Sequence, residues 1–113
     1  MDKLREYLLQ GFKITFKHTE VYLIITAENQ ETGSIFSTKL DNHNVAKISN
    51  QIFLDTDTLK QVFVHILENK PAGMTLSISK DGVLTHKGES LFGPVKREYQ
   101  FSINLREEKT DPI

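Results

Sequence analysis

Phe12, Ile14 and Phe16 alternate with Lys13, Thr15 and Lys17, the period-2 pattern of a strand with one face buried. Residues 20–27 are apolar at nearly every position and predict a central strand. Residues 29–33 form a polar turn, and residues 34–40 resume as a strand with Phe36, Thr38 and Leu40 on one side. Ahead of these three strands, Leu4, Tyr7 and Leu8 lie at helical spacing behind Asp2, which predicts a short N-terminal helix within residues 1–10, stopped by Gly11.

The middle of the chain changes period. Val45, Ile48 and Ile52 share one face of a short helix following the cap candidates Asp41, Asn42, His43 and Asn44. Leu59, Val62, Phe63, Ile66 and Leu67 then fall at i, i+3, i+4, i+7 and i+8, the stripe of an amphipathic helix. Thr58 and Gln61 have capping-box spacing, Asp55 and Asp57 suit the positive end of the helix dipole, and Pro71 ends the helix. Beyond it Met74, Leu76 and Ile78 alternate with Thr75, Ser77 and Ser79. Asp81-Gly82 predicts a tight hairpin turn with both central residues at positive φ, and residues 83–87 return antiparallel. Residues 88–96 read as a loop. In residues 97–106 Tyr99, Phe101, Ile103 and Leu105 oppose Glu98, Gln100, Ser102 and Asn104, a last strand. A charged tail at 107–113 is expected to fray.

Two three-stranded antiparallel runs separated by helices imply an α+β fold. One core must satisfy the strand faces and the helix stripe together, so we expect an antiparallel β-sandwich or half-open barrel with the helix-turn-helix closing one end. The 113 residues form one domain, 1–113, of a size that buries roughly two-thirds of its unfolded surface.

Composition narrows function mainly by exclusion. The absence of cysteine excludes disulfides, thiolate metal sites and cysteine nucleophiles. With 14 Lys plus Arg against 15 Asp plus Glu, the chain lacks the basic excess that direct nucleic-acid binding or an anionic membrane requires. The first residues lack the apolar run of a signal peptide, no stretch is long enough to span a bilayer, and no asparagine begins a glycosylation sequon. These features favour an intracellular protein of the cytoplasm or nucleus.

No catalytic or cofactor motif is present. Asp55-Thr56-Asp57 superficially resembles an Asp-x-Asp phosphotransfer pair, but a helix follows it directly and capping accounts for it. His18, His43, His65 and His86 lie in four separate elements without metal-ligand spacing. Neither a nucleophile elbow nor a phosphate-binding glycine loop occurs. Lys80, His86, Lys87, Lys96 and Arg97 are interleaved with Asp81, Glu89 and Glu98, which predicts a mixed-charge rim. We therefore expect a non-enzyme without metal or organic cofactor.

One apolar feature falls outside the expected core. Leu91, Phe92 and Val95 flank Gly93-Pro94 in the expected loop, and apolar side chains in a loop either fold back on the core or meet a partner. Phe92, flanked by Leu91 and Val95, is the candidate interaction residue.

The layout resembles the head domains of the DNA end-joining scaffold proteins and the centriolar cartwheel protein. The resemblance is carried by Leu59-Lys60-Gln61-Val62-Phe63-Val64-His65-Ile66-Leu67-Glu68, by Met74-Thr75-Leu76-Ser77-Ile78-Ser79 and by residues 97–105. It implies a non-enzymatic module that pairs with another head, as a weak homodimer or with a related head domain. In the cartwheel branch an apolar residue in the last hairpin loop enters a neighbouring head, and Phe92 stands at the similar position. Members of that family continue into a coiled coil, whereas no heptads occur here up to Pro112. The alternative class is a carrier of a small apolar ligand, which needs an enclosed cavity between the layers.

Overall fold

A computed structural model of the chain describes residues 5–92 and 94–108, with the side chains of residues 90–92 outside that description. Its first sheet contains β1 (Glu6–Leu9), β2 (Phe12–His18), β3 (Leu23–Asn29), β4 (Ile35–Leu40) and, from the far end of the chain, β8 (Arg106–Glu107). All four pairings in the order β1-β2-β3-β4-β8 are antiparallel. Two helices follow β4, α1 (Asn42–Ile48) and α2 (Thr56–Asn69). A second sheet of β5 (Thr75–Ile78), β6 (Val83–Phe92) and β7 (Val95–Asn104) has the order β5-β6-β7. The result is an open, sandwich-like α+β fold rather than a closed barrel.

The alternation in the sequence becomes burial. Phe12, Ile14, Phe16, Leu23, Ile25, Ala27 and Phe36 line the inner face of the first sheet, and Leu76, Ile78, Leu84, Phe101 and Ile103 that of the second. From α2 the buried apolar residues are Leu59, Phe63 and Ile66, while Leu67 is half-buried at the margin. All belong to one cluster.

The expected N-terminal helix is instead β1. Leu9 pairs with Phe12 across Gln10 and Gly11, both at positive φ (49° and 86°), the geometry of a two-residue hairpin turn. Four residues of edge strand gain a ladder with β2 and bring Tyr7 and Leu9 onto the core, which a solvated helix turn would not. Residues 1–4 of that expectation lie outside the described residues.

Several local expectations are also corrected. Asp55, three residues before Thr58, caps α2 by accepting the Thr58 N–H at 2.7 Å. Gln61 instead donates to Asp57 on the helix surface. At α1 the capping box is reciprocal between Asp41 and Asn44. That helix ends at Ile48, and the backbone turns at Asn50 and Gln51, both at positive φ. Ile52 therefore leaves the expected face and is exposed, while Phe53 enters the core. In the β5–β6 connection only Gly82 has positive φ (83°), as in a turn closed by a glycine bulge. A Cβ at Gly82 would lie 2.5 Å from the Phe36 ring, so the glycine also allows the sheets to approach.

The start of the expected frayed tail is ordered. Residues Arg106 and Glu107 pair with Ser37 and Phe36, and the Glu108 carboxylate accepts from Ser37 Oγ at 2.7 Å. Residues 109–113 lie outside the described residues.

Phe63 is fully buried and meets rings from the second sheet, Phe101 at 6.3 Å and His86 at 5.4 Å between centroids. Removing such a ring typically costs about 3–5 kcal/mol, a large part of the roughly 5–15 kcal/mol available to a small domain. Phe63→Ala should leave the protein molten or unfolded by circular dichroism and urea denaturation. A loss below about 1 kcal/mol would place α2 at the periphery.

Candidate functional site: the distal hairpin and its buried base

β6 and β7 pair continuously from Val83↔Asn104 to Phe92↔Val95. The expected loop at 88–96 is thus mostly strand, and the connection narrows to positions 93 and 94. Gly88, Glu89 and Ser90 are weak strand formers, but each gains a partner on β7, namely Tyr99, Glu98 and Arg97. Cross-strand pairing overrides local preference here.

β5 supports only the inner part of this hairpin, since its outermost partner on β6 is Lys87. Beyond it five register pairs, Gly88↔Tyr99 to Phe92↔Val95, form an arm of two strands. The expected interaction residues are all at its end but split between two register rows. Phe92 pairs with Val95, and Leu91 stands opposite Lys96. Val95 is 54% exposed. The side chains of Leu91 and Phe92 lie outside the described residues.

At the base of the arm is a group that sequence reasoning placed wrongly. His86 is expected on a solvated, mixed-charge rim, yet it is completely buried. It shares the inward parity of Leu84 on β6, and four rings surround it. Centroids of Phe53, Phe63, Tyr99 and Phe101 lie 5.9, 5.4, 5.3 and 5.4 Å from the imidazole. The Thr75 carbonyl lies 3.0 Å from Nδ1, and Tyr99 Oη lies 3.0 Å from Nε2.

Chemistry fixes the tautomer. A carbonyl only accepts, so Nδ1 carries the proton; Nε2 of the neutral ring then accepts from the Tyr99 hydroxyl. Burial holds His86 below the ordinary histidine value, against a smaller opposing effect of the Thr75 carbonyl. Burial also raises the Tyr99 phenol, so both groups favour their neutral forms. Gly88 makes the bond possible: a Cβ there would lie 2.5 Å from Tyr99 Oη. The Tyr99 ring crosses over Gly88 to reach His86. The available signal was parity, because Leu84, His86 and Gly88 share one face of the strand.

The rest of the expected rim is also dispersed. Lys80 lies in the β5–β6 turn, while Lys96 and Arg97 lie at the far end of a ladder roughly 30 Å long. His18 and His43 line a common cleft of about 560 Å³ with Asp41, Asp55 and Asp57. His18 Nε2 lies 2.8 Å from Thr56 Oγ1. Among the described residues no three His, Asp or Glu side chains converge as metal ligands, and no helix is long and apolar enough to cross a membrane. Asp55 is spent on its helix cap, and the Thr58 N–H lowers its carboxyl below the usual range.

Two facing antiparallel sheets, a helix pair between the strand runs and a long terminal hairpin make up this α+β sandwich-like fold. A solved structure with this fold is the head domain of human CCDC61, similar at a TM-score of 0.64 with 10% sequence identity. The similarity covers 94% of this chain and 98% of that one. No protein-family model matches the sequence, and no curated protein matches it. At that identity the likeness shows the fold alone.

The buried imidazole links stability to pH. Its folded value is lowered, so its contribution is complete above the unfolded value of about 6.5 and is lost as pH falls below it toward the folded value. The Asp55 contribution has the same sign but is lost only below about pH 4. Urea midpoints measured from about pH 8 to 5 should fall on the acid side before any carboxylate step. A flat profile across that range would mean that folded His86 protonates freely.

Proposed function

We propose that the protein is a non-enzymatic interaction module of an intracellular scaffold, which self-associates or pairs with a related head through the end of the β6–β7 arm. The observation that carries this reading is the arm itself, five register pairs extending past the last residue supported by β5. An unsupported two-stranded hairpin is marginal in water, so a strand pair maintained to Phe92↔Val95 is suited to presenting its end to another molecule. Val95 is exposed there, and Phe92 is its register partner.

The head-domain fold agrees with a binding role, and nothing in the residues calls for catalysis, a metal or an organic cofactor. The described clefts, including the apolar one beside Leu67 and Met74, open at the surface. No observation therefore favours the carrier of an apolar ligand.

One aromatic anchor supports weak binding, about micromolar to millimolar after association entropy is subtracted. Sedimentation across a concentration series should show a reversible monomer–dimer equilibrium. Phe92→Glu should abolish it, and Val95→Glu should weaken it, with melting temperature unchanged. If Phe92→Glu lowers the melting temperature by several degrees, the residue belongs to the core and the reading fails.

A further inference from the structure

We propose that the His86–Tyr99 hydrogen bond is a proton-controlled latch that holds the distal β6–β7 arm in line with the core. Besides the β6–β7 ladder and the packing of the Tyr99 ring on Phe53 and Phe101, this hydrogen bond ties the arm to the core. His86 lies within the three-stranded part, opposite Leu76 of β5 and Phe101 of β7. Tyr99 pairs with Gly88, the first pair of the unsupported arm. A ring anchored on the arm thus reaches back across a glycine to a ring in the core.

The bond is directional, and a proton reverses it. In the neutral state Tyr99 donates to Nε2 while Nδ1–H donates to the Thr75 carbonyl. A proton on Nε2 turns that nitrogen into a donor, so the Tyr99 hydroxyl must accept and its own proton needs another acceptor. Tyr99 also lines an open cleft of about 470 Å³ with Glu89, Glu98 and Gln100, so the acceptors it can turn to lie outward, along the arm.

The surroundings do not compensate for the charge. Phe53 from the α1–α2 connection, Phe63 from α2 and Phe101 from β7 face the imidazole with rings. β5 offers the Thr75 carbonyl, which is already engaged, and β7 offers the Tyr99 phenol, the titratable group in contact with it. The adjacent charged residues on β6, Lys87 and Glu89, are exposed at alternate positions. Burial dominates its protonation accordingly. A charged imidazole is relieved by moving Tyr99 and admitting water, which frees the arm before the sandwich opens.

This inference concerns the order of the arm and not what the arm binds, so it is tested apart from self-association, on dilute monomer. Histidine-ring NMR spectra of the full chain, followed from neutral to mildly acidic pH, read the protonation of His86. Backbone relaxation in the same samples reads the order of residues 94–98 and of β2 and β3. The expected result is loss of order in residues 94–98 in step with His86 protonation, while β2 and β3 keep their native signals. Tyr99→Phe keeps the ring and removes the hydroxyl; it should show the same loosened arm at neutral pH, with no further change on acidification. An arm that stays ordered as His86 protonates overturns the latch. So does an arm that loosens only with global unfolding, or a Tyr99→Phe arm as ordered as the wild type at neutral pH.

Discussion

The two sheets share no strand, so what joins them into one body is chiefly the meeting of side chains between them. Phe63 stands at that meeting. It projects from α2 into the core and stacks near-parallel on Phe101 at an interplanar angle of 19°. Phe53 and His86 complete the aromatic group on the same side. Helix position, sheet separation and the base of the long hairpin therefore depend on one set of ring contacts. The chain adds a backbone tie where it passes from β7 through buried Leu105 to β8, which completes the first sheet beside β4.

Elements governed by local period were legible in the sequence. β2 follows from Phe12, Ile14 and Phe16, α2 from the Leu59–Leu67 stripe, and the inner part of β7 from Tyr99 to Ile103. Features settled by distant partners were not. Tyr7 and Leu8 fit a helix as well as a strand, and the pairing of residues 6–9 with β2 decides between them. Gly88 to Ser90 read as loop because propensity carries no knowledge of Tyr99, Glu98 and Arg97 opposite. The candidate residues Leu91, Phe92 and Val95 read as loop between the last two strands; they are instead the ends of those strands, and their division between two rows needed the register. His86 was grouped with lysines by charge class, although its parity with Leu84 pointed inward.

The fold likeness spans nearly the whole chain at 10% identity. Cores tolerate extensive substitution if pattern and volume are maintained, and the constraints visible here are of that kind. Gly82 must lack a side chain because Phe36 fills the space, and Gly88 because Tyr99 does. Neither requirement names a function. The first specifies where one sheet can approach the other, and the second where Tyr99 can cross its neighbouring strand at the base of the arm.

Gln10 combines two roles in one residue. It sits at positive φ in the β1–β2 turn, and its side-chain oxygen accepts the Ile78 N–H of β5 at 2.8 Å. β1 and β5 are each an edge strand of their sheet, and exposed edges invite pairing with foreign chains. With that amide already engaged, an incoming strand at β5 meets an occupied donor at the end of the ladder and must displace Gln10 to continue. The turn of one sheet thereby guards one rim of the other, so strand addition at β5 is discouraged by a contact within the monomer.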